Sequence, residues 1–354
     1  MNLLRIRLML FQKLNTATRR NGGALGDHQG TVIRARSVSW SVAGARGGTG
    51  KSLLTAHLAA DLADRGWQVL AADLDWDGGN LQTLLGGSPG SLTVTDIAED
   101  GAPDTPSALP MVRTGLRLLP GVSGFFDAPT AAARVELLSV LQCMPCHHLV
   151  MDLGSGPQDH VTAPFLGADV PLLVVVPDPV GVENAYRFLG GLVRERVREA
   201  IDSATDAPPR RWESLRQVRS LEELQRLAAE LDGDALALAD RVGAELAGRP
   251  IYLVLNQVRR LDDLEVANGL EQVARSTFGC ELRTMGAIQY DERVWIALRK
   301  GQAVSEWGPT EGLGDDLKEL VDALLMELGI SAENRSGGVA LVGQHCSADV
   351  AGSR

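Results

Sequence analysis

The segment GARGGTGKS, residues 44–52, constrains the fold of this chain more than any other part of the sequence. Its glycines allow several backbone N–H groups to converge on one anion, because no Cβ atom stands in the way. A short apolar run at residues 38–42 precedes the segment and is predicted to be a strand. A run with helical periodicity at residues 53–65 follows it. This order of strand, glycine-rich turn and helix predicts a phosphate-binding loop.

Individual positions of this loop have distinct predicted roles. Residues 45–52 fit the Walker A pattern, with Ala45 at a position where the strict form has glycine. Lys51 is expected to neutralise the β- and γ-phosphates, and the Ser52 hydroxyl is expected to enter the coordination shell of Mg²⁺. The predicted nucleotide-binding residues are Gly47, Gly48, Thr49, Gly50, Lys51 and Ser52.

Short apolar segments recur along the chain and indicate the fold class. They lie at residues 69–72, 116–119, 149–151, 172–176 and 251–255. Helical periodicity at residues 131–142 and 182–193 separates several of them. Continuous apolar strands that alternate with helices are typical of a parallel sheet covered on both faces. We therefore predict an α/β fold of the P-loop NTPase type, with a mostly parallel sheet, helices on both faces and a helical insertion.

The composition excludes several classes of protein. The chain has 34 Lys and Arg residues against 45 Asp and Glu, a formal net charge of −11. Such a chain has no global attraction to nucleic acid, so nucleic acid is not expected as a partner. No apolar run approaches the roughly 18 residues that indicate a membrane span. Four cysteines cannot form a disulfide framework, which favours a reducing cytoplasm.

In three further segments, an acidic or amide side chain lies at the end of a predicted strand. They read ADLDWDGGNL at residues 72–81, LVMDLGSG at residues 149–156 and LVLNQ at residues 253–257. Together with the loop, they resemble the MinD/ParA class of P-loop ATPases, whose deviant Walker A loop reads K-G-G-x-G-K-[ST]. The flagellar-number branch of that class, called FlhG or FleN, is the most similar. The resemblance covers residues 38–190 and 250–310.

The resemblance implies a function and a mode of action. Such a protein binds ATP with Mg²⁺, hydrolyses the β–γ phosphoanhydride slowly and forms an ATP-dependent homodimer. It acts through a partner protein, which the sequence does not identify, to position or regulate a flagellum, a division site or a similar structure. The implied location is the cytoplasm, with transient association at the inner membrane surface left open.

The resemblance also assigns roles to residues outside the loop. Asp75 matches the carboxylate that orients the attacking water, and Asp73 is expected to support Mg²⁺ and the loop around it. Asp152 is expected to hold Mg²⁺, and the backbone of Gly154 to sense the γ-phosphate. Asn256 matches the residue that contacts adenine.

One position departs from the family pattern. Arg46 stands where the family has its signature lysine, which crosses the dimer interface to the nucleotide of the partner. Arginine keeps the positive charge but differs in shape and length. We therefore expect Arg46 to take a catalytic role in trans, with a solvent-facing loop residue as the alternative.

The domain organisation follows from composition along the chain. Residues 1–30 are predicted as a tail and linker, residues 31–330 as a P-loop ATPase domain and residues 331–354 as a disordered tail. Residues 194–249, rich in Arg, Glu, Leu and Ala, are predicted as the helical insertion. Residues 1–20 interleave basic and apolar side chains, and we favour a disordered tail over a membrane-surface helix or a signal peptide.

Two other functions and one cysteine motif stay open. A chromosome- or plasmid-partition ATPase would need a basic surface patch. A metal-insertion or biosynthetic P-loop enzyme would need ligands for a small substrate. The C-x-x-C-H motif at Cys143 and Cys146 is predicted to be a turn from helix to strand, with zinc or redox chemistry as the alternative.

Overall fold

A computed structural model of the chain describes residues 37–76, 78–87, 92–100, 108–121, 129–204, 209–302 and 313–330. The segments predicted as tails, residues 1–30 and 331–354, lie outside these ranges. Within them, no helix is long and apolar enough to cross a membrane.

The sheet has eight strands in the order β3-β4-β2-β5-β1-β6-β7-β8. Adjacent strands are parallel except for β3, which pairs antiparallel with β4 at one edge. The central strands are buried along almost their whole length, as a parallel sheet covered on both faces requires. The strands are β1 (Val38–Gly44), β2 (Val69–Leu74), β3 (Met111–Arg113), β4 (Leu116–Leu119), β5 (His148–Ser155), β6 (Val170–Val175), β7 (Ile251–Val258) and β8 (Leu282–Gln289).

Eleven α-helices lie within the described ranges, and two short 3₁₀ helices, Arg210–Gln217 and Leu261–Leu264, accompany them. The α-helices are α1 (Lys51–Asp64), α2 (Leu81–Leu85), α3 (Val94–Asp100), α4 (Ala131–Cys143), α5 (Asp159–Gly167), α6 (Pro179–Ala204), α7 (Leu221–Leu231), α8 (Gly233–Gly248), α9 (Glu265–Thr277), α10 (Glu292–Arg299) and α11 (Leu313–Glu327).

Two hydrophobic cores flank the sheet. One contains the buried side chains of α1, α2 and α11, and the other contains those of α3 to α9. Because alternate residues of each strand point to opposite faces, the same strands supply both cores. The predicted fold class, a mostly parallel sheet with helices on both faces, is confirmed.

The described residues between β6 and β7, 176–204 and 209–250, are mostly helical. Helix α6 runs for 26 residues, well beyond the periodic stretch at residues 182–193, and leads toward α7 and α8. The side chain of Ser220 caps α7 by accepting from Glu223 N, and that of Asp232 caps α8 by accepting from Ala235 N. The leucine stripe of α7 packs into the core: Leu224 is fully buried, and Leu221, Leu227 and Leu231 are partly buried against the core.

The parallel arrangement determines where chemistry can occur. The carboxyl ends of β1, β2, β5, β6 and β7 all lie at one edge of the sheet. The glycine-rich loop follows β1 and leads directly into α1 at that edge. Ligands of open α/β sheets bind at this edge, where loops from several strands meet.

Candidate nucleotide-binding site

The glycine-rich loop has the backbone conformation that its sequence predicts. Gly48 and Gly50 have φ angles of 75° and 86°, in the left-handed region that side chains other than glycine rarely adopt. A Cβ atom at Gly50 would lie 2.3 Å from Nδ2 of Asn256, so this position excludes side chains on steric grounds as well. Helix α1 begins at Lys51, directly after the loop. The loop therefore presents a helix N-terminus, a binding place for anions.

Lys51 lies at the centre of three carboxylates. Its side chain is largely buried and forms an ion pair with Asp75, and its Nζ is 3.9 Å from Oδ1 of Asp152. Burial alone would lower the pKa of Lys51, but Asp152, Asp75 and Asp73 outweigh that effect and raise it. Lys51 is therefore a fixed cation at the mouth of the loop.

Asp152 is a fully buried carboxylate on β5. Its Oδ1 accepts a hydrogen bond from the Thr55 hydroxyl at 3.3 Å, and its Oδ2 has no hydrogen-bond partner among the described residues. Burial raises the pKa of Asp152 to about 7, although Lys51 opposes the shift. A buried oxygen that lacks a partner is a suitable ligand, direct or through water, for a hard cation such as Mg²⁺.

The oxygen donors around Lys51 suit Mg²⁺, and not a metal ion that is held by several protein side chains. No group of three His, Cys, Asp or Glu side chains in the described ranges could hold a metal ion. Mg²⁺ does not need such a group, because it keeps several waters and takes one or two protein oxygens together with phosphate oxygens. Ser52 follows Lys51 at the start of α1, and its Oγ lies 3.2 Å from the Lys51 ammonium. Ser52 and Asp152 are therefore the residues that would hold the ion.

Asp73 organises the loop that carries Asp75. Its two carboxylate oxygens accept hydrogen bonds from the backbone N–H groups of Asp75, at 3.2 Å, and of Leu81, at 3.0 Å. Gly79 packs so closely that a Cβ atom there would lie 2.3 Å from these oxygens. Burial raises the pKa of Asp73 to about 6. Both oxygens of Asp73 already accept backbone hydrogen bonds. The Mg²⁺ contact predicted for Asp73 remains a prediction.

The Gly154 segment lies beside Asp75. A Cβ atom at Gly154 would lie 3.5 Å from Oδ1 of Asp75, and the N–H of Gly156 donates to the carbonyl of Gly44 at 3.1 Å. The next residue, Pro157, packs on helix α6. Its carbonyl accepts from Arg194 at 2.9 Å, and a Cβ atom at Gly191 would lie 2.6 Å from the Cβ atom of Pro157. The segment that contains Gly154, the predicted γ-phosphate sensor, therefore packs on α6, the longest helix in the described ranges.

Arg46 is paired within its own chain. Its Nη2 atom donates to Oδ2 of Asp178 at 2.6 Å, and both side chains are about one-third exposed. Asp178 lies just after β6, at the same edge of the sheet as the loop. The sequence identified Arg46 as a departure from the family pattern but did not predict its partner.

The side chains of Asn256 and Gln257, at the end of β7, donate hydrogen bonds to backbone carbonyls of the glycine-rich loop. Asn256 Nδ2 donates to the carbonyl of Thr49 at 2.7 Å, and Gln257 Nε2 donates to the carbonyl of Gly48 at 3.0 Å. The adenine contact predicted for Asn256 remains a prediction. Gln257 was not predicted as a functional residue, and its only signal in the sequence is its position after Asn256 at a strand end.

The C-x-x-C-H motif forms the turn between α4 and β5. Cys143 is exposed at the end of α4, whereas burial raises the pKa of the Cys146 thiol to about 11. A high pKa disfavours the thiolate that redox or zinc chemistry requires. Neither cysteine belongs to a described group of metal ligands. The structure thus supports the interpretation of this motif as a turn.

Two curated proteins are similar to part of the chain. The antiactivator FleN of Pseudomonas aeruginosa is 29% identical over 160 residues, which is 44% of this chain and 56% of FleN. An uncharacterised ATP-binding protein of Methanocaldococcus jannaschii is 26% identical over 161 residues, which is 45% of this chain and 60% of that protein. The chain thus spans less than two-thirds of the length of each of these relatives.

Solved structures show the same fold over most of the chain. A ParA family ATPase from Chlorobium tepidum matches with a TM-score of 0.54 at 18% identity, covering 82% of this chain and 98% of that one. The cell division ATPase MinD of Pyrococcus furiosus matches with a TM-score of 0.54 at 19% identity, covering 82% of this chain and 99% of that one. The model of the CobQ/CobB/MinD/ParA nucleotide binding domain matches residues 40–304, three-quarters of the chain. With the loop geometry and the fold, this match shows that the chain belongs to the CobQ/CobB/MinD/ParA family of nucleotide-binding domains.

Proposed function

We propose that the protein is an ATP-hydrolysing molecular switch of the MinD/ParA type. It binds ATP with Mg²⁺, dimerises and positions or regulates a cellular structure. The observation that carries this proposal is the ion pair between Lys51 and Asp75, which stands beside buried Asp152 at the mouth of the glycine-rich loop. A phosphate-binding cation and two carboxylates are thus brought together at one edge of the sheet.

Binding of ATP uses the loop backbone and Lys51. The N–H groups from Gly47 to Ser52 surround the phosphates, and the Lys51 ammonium neutralises the β- and γ-phosphates. When bound by Ser52, Asp152 and the phosphates, Mg²⁺ supplies further neutralisation of the charge that develops during transfer. Little covalent chemistry is asked of the protein, because phosphoryl transfer depends mainly on positioning and charge.

Hydrolysis of the β–γ bond uses Asp75. Its carboxylate is largely buried, pairs with Lys51 and lies next to Gly154. The backbone N–H of Gly154 is proposed to sense the γ-phosphate. As Lys51 turns to the phosphates, the Asp75 carboxylate can accept a hydrogen bond from the attacking water. Asp73 keeps this carboxylate in place through the backbone of residues 75 and 81.

The switch function requires two chains. Arg46 is proposed to leave Asp178 and contact the nucleotide of the partner in an ATP-dependent homodimer. Similarity to the antiactivator FleN supports a regulatory role exerted through another protein. The proposed location is the cytoplasm, with transient contact at the inner membrane surface. A DNA-partition role is less well supported, since a net charge of −11 does not attract nucleic acid.

Calorimetry of the Lys51→Ala variant with Mg·ATP tests this proposal. Lys51 is the cation at the mouth of the loop, so its removal should abolish measurable ATP binding. Lys318→Ala is the matched control, because Lys318 is exposed on α11 and should leave affinity unchanged. ATP binding by Lys51→Ala at the parent affinity would refute the assignment of this site.

A further inference from the structure

We propose that Asn256 and Gln257 position the phosphate-binding loop, so that their contribution to nucleotide affinity acts through the phosphates. Both residues lie at the end of β7, more than 200 residues after the loop in sequence. This inference rests on the proposed function of nucleotide binding. It assigns a positioning role to both residues, of which Gln257 was not predicted as a functional residue from the sequence.

Asn256 fixes the carbonyl of Thr49. The Asn256 side chain is buried, and its Nδ2 atom donates to that carbonyl at 2.7 Å. Its Oδ1 atom accepts from the backbone N–H of Gln257 at 2.8 Å, so both ends of the amide are engaged. The contact is tight, since a Cβ atom at Gly50 would overlap the same Nδ2 atom. Asn256 therefore has little freedom to rotate away from the loop.

Gln257 fixes the preceding carbonyl in the same way. Its Nε2 atom donates to the carbonyl of Gly48 at 3.0 Å. Its φ angle is 60°, and among the described residues it is the non-glycine residue with a positive φ. A left-handed conformation is unfavourable for a residue with a side chain, so surrounding contacts must maintain it. The hydrogen bond from Gln257 N to Asn256 and that from its side chain to Gly48 are such contacts.

The two amides hold consecutive carbonyls of the loop on its outer side. Each peptide unit carries its N–H and C=O on opposite sides. Directing the carbonyls of Gly48 and Thr49 toward β7 therefore turns the N–H groups of Thr49 and Gly50 the other way, away from β7. A run of convergent N–H groups is what a phosphate chain requires. The amides thus preset the geometry in which the loop binds phosphate.

The test compares a ligand that has a base with one that has none. Gln257→Met keeps the length of the side chain and its neutral charge but removes the donor. Asn256→Ala removes the other donor. Affinities for Mg·ATP and for Mg-bound inorganic tripolyphosphate are measured by calorimetry on each full-length variant. Each variant should lower the affinity for both ligands by the same factor, about three- to tenfold, which is the range expected for the loss of one hydrogen bond.

Three controls separate positioning from other effects. Gln289→Met makes the same substitution at the end of the neighbouring strand β8 and should leave both affinities unchanged. Gln257→Gly relieves the backbone conformation but also lacks the donor, so it should lose at least as much affinity as Gln257→Met. In steady-state ATP hydrolysis, Gln257→Met should raise KM and leave kcat unchanged, whereas a partly unfolded sample would lower kcat and leave KM unchanged.

The outcomes are distinct. If the parent protein binds no ATP, the proposed function fails before any variant is compared. If the parent binds ATP but not tripolyphosphate, the loop is not preset and the inference is wrong. If Asn256→Ala weakens ATP alone, Asn256 acts on the base, and the inference is likewise wrong. Parent-like affinity of Gln257→Gly would assign the effect to backbone strain and would also overturn the role of the donor.

Discussion

The guanidinium of Arg46 and the carboxylate of Asp178 form an ion pair of 2.6 Å within one chain. The other Asp178 oxygen accepts from the N–H of Gly181 at 2.6 Å, so the same carboxylate also caps the first turn of α6. Ion pairs of this exposure contribute at most about 1 kcal/mol. Arg46 is therefore placed by a contact weak enough to be exchanged for a phosphate.

Arg46→Ala should separate the two roles considered for this residue. If Arg46 acts in trans, the variant keeps the parent ATP affinity but loses the part of turnover that rises with protein concentration. An arginine supplied in trans contributes about 10³–10⁵ in rate to related phosphoryl transfers. The measurement is specific ATPase activity against protein concentration, with Arg46→Lys as the variant expected to retain activity. If Arg46→Ala matches the parent at every concentration, Arg46 is a loop residue without a role in trans.

Asp75→Ala should bind ATP and fail to hydrolyse it. The substitution removes the group proposed to orient water, and the loss of one such group lowers rates by about 10²–10⁴-fold. An ATP-bound dimer should then accumulate and be visible by light scattering. Because Asp75 also pairs with Lys51, ATP affinity should be measured on the same sample. Hydrolysis at the parent rate would show that another group orients the water.

The stability of the protein should fall in mild acid because of His148. This residue is fully buried, and burial, together with His147, lowers its pKa to about 3. Its Nδ1 accepts from Trp40 Nε1 at 3.1 Å, so protonation at that nitrogen would break the bond. The unfolded chain binds a proton below its ordinary pKa of 6.5, whereas the folded chain does not until about 3. The free energy of unfolding should therefore drop by about 2 kcal/mol between pH 7 and pH 5 from this residue.

Urea unfolding at pH 7 and pH 5 checks this expectation. Tryptophan fluorescence follows the unfolding, and two of the six tryptophans, Trp40 and Trp67, contact the His148 ring. The variant His148→Gln can still accept from Trp40 but cannot titrate, so its loss of stability on acidification should be smaller than that of the parent. Equal losses in the two proteins would mean that His148 does not contribute.

The contact between Gly191 and Pro157 should be sensitive to one methyl group. A Cβ atom at Gly191 would lie 2.6 Å from the Cβ atom of Pro157, and a proline ring cannot rotate away. Gly191→Ala should therefore lower the free energy of unfolding by about 1–3 kcal/mol, the usual cost of overpacking. Gly269 is the matched control, because it lies within α9 and a Cβ atom there meets nothing within 4 Å. Gly269→Ala should instead stabilise by roughly 0.5–1 kcal/mol, since alanine favours helix. If both variants shift stability alike, the Pro157 contact is not restrictive.

The sequence predicted the parts of the fold whose signals are local. The glycine-rich loop, the apolar strands β1 and β6 and the leucine stripe of α7 each have a pattern that can be recognised within about ten residues. Strand β8 escaped prediction because LRTMGAIQ has no continuous apolar run and contains a glycine. Its backbone pairs in parallel with β7, a contact between segments distant in sequence. Such pairing is fixed by the sheet as a whole and not by β-propensity alone.

In the candidate site, too, the residues with local sequence signals were predicted and the contacts between distant segments were not. Lys51 was identified from the Walker A pattern, and Asp75 and Asp152 from short segments that resemble the MinD/ParA class. The pairing of Arg46 with Asp178 and the contact of Gln257 with Gly48 were not predicted. These pairs join loops after different strands, and their partners are 132 and 209 residues apart in sequence. Only the order of the strands brings them together.

The separation between the loop and the side chains that hold it has a consequence for synthesis of the chain. Thr49 and Asn256 are 207 residues apart, and the ribosome adds about 5–20 residues each second. The complete phosphate-binding pattern is therefore synthesised about 10–40 s before Asn256 is added. During that interval a nascent chain carries the loop without its outer contacts. Nucleotide should accordingly be bound more weakly by the nascent chain than by the finished protein, so that full affinity marks completion of the sheet.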